Sequence, residues 1–332
     1  MSGPMSGLVS GAPARLVRAP WAAFALRRSW RFLVSLWVLV TASFLMIHLI
    51  PGDPVRAALG TTAPVELVEA RRQALGLDAP LWQQYTGFLR GLLTGDLGTS
   101  MVNDLRVAQV VGERLPETIK LALPAFVLVL AISVPVGVVM AMLTRGGRRR
   151  GGELAFTSAS VFVAAIPEFL LAVGLVYAFA VSLPWFPVAG REELSSYVLP
   201  VLSLAIAPAA VMARIVRVEL LAVLGEDFVR TARAKRLPAR LIYARHALPN
   251  ALTATLTLAG LLLTSMVAGT VLVENVFAWP GLGSTIVQSI LQKDYPMVQG
   301  VVLVYGAGVL LVNLLVDVLL AVLDPRSTIR EG

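Results

Sequence analysis

The chain has 332 residues, of which 57% are apolar and only 14% are charged, and its mean hydropathy is +0.78. This composition excludes an ordinary soluble domain, in which about 25% of residues are charged, and predicts a polytopic membrane protein. The net charge of +8 does not indicate a nucleic-acid surface, because the basic residues are dispersed between apolar runs.

Metal, thiol and nucleotide chemistry are not expected of this chain. It has no cysteine, and its two histidines, His48 and His246, are far apart in sequence. None of its three lysines follows a glycine, whereas a phosphate-binding loop requires a Gly-Lys-Ser/Thr sequence. We therefore expect no ATP hydrolysis by this chain, no metal site and no cofactor of its own.

The N-terminal third begins with a basic tail, followed by one span and one polar segment. Residues 1–31 contain five arginines and no acidic residue, which predicts a cytoplasmic tail whose residues 21–31 lie on the membrane. Residues 32–50 form an apolar run that is long enough to span a bilayer. Residues 51–118 are polar and predict a small external subdomain, which should depend on the membrane part for its stability because it can bury little core alone.

Residues 119–323 contain five further apolar segments and are predicted to form a membrane core. The predicted spans are Ile119–Leu143, Leu154–Leu183, Val198–Val223, Ala247–Leu272 and Met297–Leu323. With residues 324–332 as a C-terminal tail, 19 of the 28 basic residues fall on the side of both termini. Because positive residues are retained in the cytoplasm, the chain is predicted to have six spans and two cytoplasmic termini.

A charged segment interrupts the core at residues 224–249. Acidic residues at its start and basic residues before Pro238 predict a short helix over Glu226–Arg236. At 1.5 Å per residue this helix is about 16 Å long, which is too short to cross a bilayer. Phe228 and Ala232 share one face and the arginines another. From composition alone, the segment could be a topogenic loop that touches lipid headgroups or a docking helix for a partner.

Several motifs of the chain resemble those of one transporter family. The run DFVRTARAKRLPARLIYARHALPNAL from Asp227 is similar to the cytoplasmic coupling loop of bacterial ABC-importer permeases of the dipeptide/oligopeptide class. The segments PGDP, LGLDAPLWQQY and TGDLGTS resemble the external region of these permeases, and VNLLVDVLLAVLDPR resembles their last span. The resemblance implies a B-type permease with the all-α, six-helix fold of a type I ABC importer.

The resemblance also implies partners and contact residues. The expected partners are a homologous C-type permease, two ATPase subunits that use ATP and magnesium, an external substrate-binding protein and the lipid bilayer of the bacterial inner membrane. Arg236 departs from the family pattern, which has glycine at this position, and an arginine adopts a positive φ less readily. The residues expected to couple to the ATPase are Glu226, Phe228, Arg230, Thr231, Ala232, Arg233, Lys235, Arg236, Leu248 and Pro249.

Three polar residues, Glu168, Asn313 and Asp317, lie inside predicted spans, where an unpaired charge is costly. They could form an ion relay, or they could pair with neighbouring helices or with a partner subunit. For Asp317 we favour pairing, and for Glu168 both interpretations stay open.

The sequence leaves other transported ligands and two other protein classes as alternatives. The family resemblance implies peptide import, although related permeases carry glutathione, nickel chelates or haem. A secondary carrier would use Glu168 and Asp317 for ion coupling and would show internal repeats, which are not evident. An intramembrane enzyme would need catalytic groups at one depth, which Glu168, Asp317 and His48 do not obviously supply.

Overall fold

A computed structural model describes residues 14–49, 53–60, 63–74, 76–147, 149–191 and 193–323. Within these ranges every regular element is a helix, and one antiparallel bridge joins Thr99 to Arg106. The predicted all-α class is therefore confirmed. Residues 1–13 of the predicted N-terminal tail and the whole predicted tail 324–332 lie outside the described residues.

The membrane part consists of five long apolar helices and one bent pair. Counting the pair as one span gives the six spans that the sequence predicts. The long helices are α1 (Ala14–Leu49), α5 (Val107–Thr144), α8 (Val198–Val223), α11 (Leu248–Val276) and α13 (Tyr295–Leu323). The pair comprises α6 (Arg150–Ala165) and α7 (Glu168–Leu175), which continues as a π-helix over Val176–Ser182.

Two predicted helix boundaries differ from the structure. The helix α1 is continuous from Ala14, so residues 21–31 belong to the same helix as the first span and not to a separate surface segment. The helix α5 starts at Val107, so residues 107–118 extend the second span outward and are not a loose part of the external segment. A run of apolar residues marks only the part of a helix that lies within the hydrocarbon. The helical backbone hydrogen bonding continues beyond that run, so the helix is longer than the run.

The third span is bent, which the sequence interpretation missed. Its two halves meet at 93°. Ile166 is extended, with φ −76° and ψ 121°, and Pro167 precedes the first turn of α7. Because proline lacks an amide hydrogen and clashes with a helical residue before it, the helix ends at Ala165. Glu168 consequently occupies the first position of a new helix.

Three short helices, α2 (Pro54–Leu59), α3 (Val65–Ala74) and α4 (Leu81–Leu93), lie in the segment that the sequence predicts to be external. A buried side chain, Asp294, connects this segment to the core. It accepts hydrogen bonds from the Ser100 hydroxyl and, over 3.0 Å, from the Met101 amide. These two hydrogen bonds offset the cost of burying the carboxylate. They also hold the loop 94–100 against the start of α13.

The core of the molecule lies between α5, α7, α8 and α11. The close approach of α5 to α8 depends on Gly137, because a Cβ atom there would lie 2.6 Å from the Ala213 carbonyl oxygen. At its C-terminal end, α8 leads into α9 (Asp227–Ala234), then α10 (Ala239–Leu241) and a π-helix over Ile242–Ala247. The last short helix, α12 (Leu282–Leu291), packs between α11 and α13.

Candidate functional site

The charged helix α9 is shorter than predicted and ends in a defined turn. Glu226 occupies its N-cap position and Asp227 its first turn, where the helix dipole favours negative charge. At the other end, the Leu237 amide donates to the Ala232 carbonyl over 3.3 Å and the Arg236 amide donates to the Arg233 carbonyl over 2.8 Å. These two bonds form a Schellman motif.

The Schellman turn gives Arg236 a φ of 55°, which is the left-handed conformation usually taken by glycine. Arg236 therefore adopts the positive φ for which glycine is usual at such a turn. The arginine adopts the conformation at a steric cost, which is of order 1–2 kcal/mol for a residue with a Cβ atom. Lys235, just before it, has an ordinary φ of −75°.

One face of α9 is buried against the chain itself. Val229 is fully buried and Ala232 is 7% exposed. On the side that the basic residues predict to be cytoplasmic, they pack in a cytoplasmic cluster with the ends of α8 and α11, which also contains Ala141, Leu220, Leu224, Ile242, Ala247 and Ala251. The sequence predicts that Phe228 and Ala232 share one face of the helix, but Phe228 is 44% exposed whereas Ala232 is buried. The two residues are four apart, but the buried face is centred between Val229 and Ala232, and Phe228 lies at its outer edge.

The outward face of α9 carries one aromatic side chain among polar ones. Phe228 is 44% exposed, and Thr231 and Lys235 are exposed beside it. Arg230 is also exposed and forms a surface ion pair with Asp227 over 3.1 Å, which contributes little stability.

The other predicted coupling residues have different surroundings. Arg233 is part-buried, and its Nη2 donates to the Leu224 carbonyl oxygen over 3.1 Å. It therefore connects α9 to the end of α8 instead of lying on the rim of an exposed face. Leu248 is half-buried and Pro249 is exposed in the first turn of α11, where proline fits because no amide donor is needed.

A basic cleft of about 580 Å³ opens beside α9. At its wall Arg217 is 7% exposed, and its Nη2 lies 2.6 Å from a Glu153 oxygen while its Nε donates to the Thr144 hydroxyl over 3.0 Å. These contacts join α5, α6 and α8. The sequence analysis missed this role of Arg217, for which the signal was a charge inside an apolar helix.

The polar residues within the spans have distinct surroundings. Asp317 of α13 forms an ion pair with Arg28 of α1, and Asn313 accepts a hydrogen bond from the Thr264 hydroxyl over 2.8 Å. Glu168 lies against Gly269 of α11, where a Cβ atom would be 2.1 Å from the Glu168 carboxylate. The structure therefore does not bring Glu168 and Asp317 together as a relay.

An acidic residue that the sequence interpretation missed organises the external loop. Glu274 is fully buried and accepts hydrogen bonds from the Thr118 hydroxyl over 2.7 Å and from the Ser284 amide over 3.0 Å. Gly281 and Gly283 leave room for it, because Cβ atoms there would lie 2.3 Å and 2.9 Å from its carboxyl atoms. Glu274 therefore fixes the turn that contains the sequence FAWPGLG. In the sequence, the two glycines were the signal that could have indicated this buried contact.

Comparison with known proteins agrees with this architecture. The family described as binding-protein-dependent transport system inner membrane component matches residues 133–329, and its N-terminal companion family matches residues 22–122. The chain belongs to this permease family.

Relatives and solved structures add detail. The permease is 39% identical over 302 residues to the glutathione transport system permease protein GsiC of Pectobacterium atrosepticum, covering 91% of this chain and 97% of that protein. It is 35% identical, with the same coverage, to GsiC of Escherichia coli strain K12. Inward-facing structures of the MetNI methionine ABC transporter share its fold, with TM-scores of 0.55 and 0.52 and 20% and 21% identity, over 65% of this chain and 97% of theirs.

The permease is thus a multi-pass inner membrane subunit of a binding-protein-dependent ABC importer with the type I importer fold. Membership implies ATPase and substrate-binding partners, and ATP hydrolysis belongs to the ATPase partners.

Proposed function

We propose that the permease forms half of the translocation path for short peptides, with glutathione as the leading candidate ligand. The other half would be a homologous C-type permease, so that the membrane part is a heterodimer. Glutathione is a tripeptide, and the two GsiC relatives are named as glutathione permeases at 39% and 35% identity over 91% of the chain. Dipeptides come next, and nickel chelates and haem are the competing ligands.

The observation that carries the coupling proposal is the two-sided packing of α9. Its buried side, Val229 and Ala232, contacts the ends of α8 and α11, whereas its outer side presents Phe228 to solvent. A partner that moves Phe228 therefore moves a rigid helix that is packed against two spans. We infer that Phe228, with Thr231, Lys235 and Arg230 around it, docks into a groove of the ATPase subunit.

Coupling would follow from this packing. When ATP binding closes the two ATPases, the docked α9 moves with them, and its contacts with Leu220, Leu224 and Ala251 transmit the movement to α8 and α11. The membrane subunits would then rotate as rigid bodies between inward-open and outward-open states. A secondary carrier would not need these contacts, because it transports without an ATPase.

The substrate is tested with the assembled importer and its binding protein. We expect glutathione to be the ligand identified by mass spectrometry in the purified binding protein and to drive uptake into proteoliposomes that contain ATP. A dipeptide, a nickel chelate and haem serve as competitors. Uptake of one of these three compounds without uptake of glutathione would contradict the glutathione assignment. The coupling proposal would be unaffected by that result.

Docking is tested with Phe228→Ala. Truncating an aromatic anchor at the centre of an interface costs at least about 2 kcal/mol, so ATPase association should weaken by about thirtyfold. The control is Leu194→Ala, which removes an equally apolar, 89% exposed side chain from the opposite side of the membrane. Substrate-stimulated ATP hydrolysis and co-purification of the ATPase are measured. Equal behaviour of the two variants would place the docking site elsewhere.

A further inference from the structure

A second, smaller cleft opens between α1 and α13 near the cytoplasmic ends of these helices. It has a volume of about 200 Å³ and is lined by Arg28, Arg31, Phe32 and Ser35 of α1 and by Leu310, Asn313, Leu314 and Asp317 of α13. It lies well away from the coupling helix α9, whose basic cleft is lined by different residues.

The hydrogen-bond donors of this cleft are only partly used. Arg28 is paired with Asp317, but Arg31 is exposed and makes no ion pair with any residue of the described ranges. Asn313 uses its side-chain oxygen to accept from Thr264, which leaves its amide donors available. The cleft therefore offers a cationic guanidinium and amide donors, which are the groups that bind a phosphate.

The polarity of the cleft changes along its length. Because α1 and α13 run antiparallel, with Arg28 beside Asp317 and Ser43 beside Gln299, Arg28 and Arg31 lie nearer the cytoplasmic surface. Phe32 and Leu310 continue the cleft toward the middle of the membrane. A ligand that fits both ends has an anionic head and an apolar tail. Free phosphate would satisfy only the first part.

The helix α1 is placed to meet lipid. Its main neighbour among the described helices is α13, and from Phe24 onward most of its remaining surface is exposed, including Trp30 and Trp37. Exposed tryptophans on a span are typical of the headgroup region of a bilayer. The open side of the cleft therefore faces the membrane in this chain.

We propose that this cleft binds an anionic phospholipid, with the phosphate at Arg31 and the acyl chains against Phe32 and Leu310. Basic clefts between spans on the cytoplasmic side suit anionic headgroups, and each arginine near the surface contributes about 1 kcal/mol to their attraction. The bound lipid stabilises the packing of α1 on α13. This site is independent of the coupling helix and of the transported ligand.

The test measures the lipid that the purified importer assembly retains. The assembly is exchanged into detergent with phosphatidylglycerol or phosphatidylcholine of the same acyl chains, and retained lipid is counted by native mass spectrometry. Wild type should retain phosphatidylglycerol preferentially. Arg31→Gln should lower this retention by about fivefold, as expected for the loss of one arginine.

Two matched variants separate a site from a general charge effect. Arg27→Gln removes an equal charge one turn away on α1 but outside the cleft, and should retain lipid as wild type does. Ser35→Phe fills the cleft while every arginine remains, and should lose retention. Excess inorganic phosphate should not displace the lipid.

Four results would overturn the proposal. They are an absence of preference for phosphatidylglycerol, equal losses in the Arg27 and Arg31 variants, displacement of the lipid by inorganic phosphate, and retention by the isolated chain but not by the assembly. The last result would show that a partner permease covers the cleft.

Discussion

Arg236 shows how a single residue can hold a turn at a steric cost. Its φ of 55° closes the Schellman motif at the end of α9, and Leu237 beyond it packs against the cytoplasmic cluster. Two backbone hydrogen bonds and this contact outweigh the clash of the arginine Cβ atom. The conformation is therefore imposed by the surroundings and not by the preference of the residue itself.

We expect Arg236→Gly to stabilise this turn by about 0.5–1 kcal/mol, because relief of the steric cost exceeds the extra entropy that glycine loses on folding. The free energy of local opening is measured by hydrogen exchange at the Leu237 amide. Lys235→Gly is the control, since φ is −75° there and glycine should destabilise the turn. If both variants open more readily than wild type, the strain at Arg236 is negligible.

Buried charges at single positions connect the helices of this permease. Arg217 joins three spans through Glu153 and Thr144, and Glu274 orders the turn after α11 through Thr118 and Ser284. Breaking the pair of Arg217 with Glu153 is costly because the arginine charge then stays buried without a partner. The contacts of these two residues are structural. They account for the presence of ionisable side chains in helices whose apolar surroundings disfavour them.

At the scale of elements, α9 belongs to the packed core as much as to a docking surface. Its strongly amphipathic sequence buries Val229 and Ala232 on the ends of α8 and α11 and leaves Phe228 outside. The helix is only eight residues long, so it would not be stable in isolation. Its position is therefore determined by the spans that it contacts.

Ala232→Glu should consequently destabilise the permease itself. A longer charged side chain in this cluster overpacks the core by roughly 1–3 kcal/mol and also buries an unpaired charge. We expect a lower membrane level and a lower unfolding temperature even when the chain is produced without its ATPase. Thr231→Glu, at the exposed neighbouring position, is the control and should fold normally. Normal stability of Ala232→Glu with loss of ATPase association alone would show that Ala232 faces the partner.

At the scale of the whole molecule, the six spans and the distribution of basic residues define an orientation. The N-terminal end of α1, the C-terminal end of α13, α9 and the basic cleft lie on one side, and the helices α2–α4 lie on the other. The positive residues predict that the side of α9 is cytoplasmic. This agrees with the need of α9 to reach an ATPase.

Single cysteines test this orientation, because the chain has none of its own. We expect Asp78→Cys, between α3 and α4, to react with a membrane-impermeant thiol reagent added to intact cells. Arg150→Cys, at the start of α6, should react only after the cells are opened. Both positions are exposed, so the difference reports the side of the membrane and not burial. The opposite labelling pattern would invert the topology and remove α9 from the cytoplasm.

The sequence by itself determined the class, the number of spans and the existence of a charged helix between the fourth and fifth spans. These features depend on hydropathy and helix capping, which are local and additive along the chain. The motif resemblance pointed to the permease family, and the family match confirms it.

Only the tertiary structure decided which face of α9 is buried, where the third span bends and which charges are paired. Residues 228 and 232 share a helical face in any sequence diagram, but their burial depends on where Leu220, Leu224 and Ala251 lie in space. The pairing of Arg28 with Asp317 joins the two ends of the described chain. Such contacts are non-local, and the period of a helix cannot specify them because it carries no information about the neighbouring element.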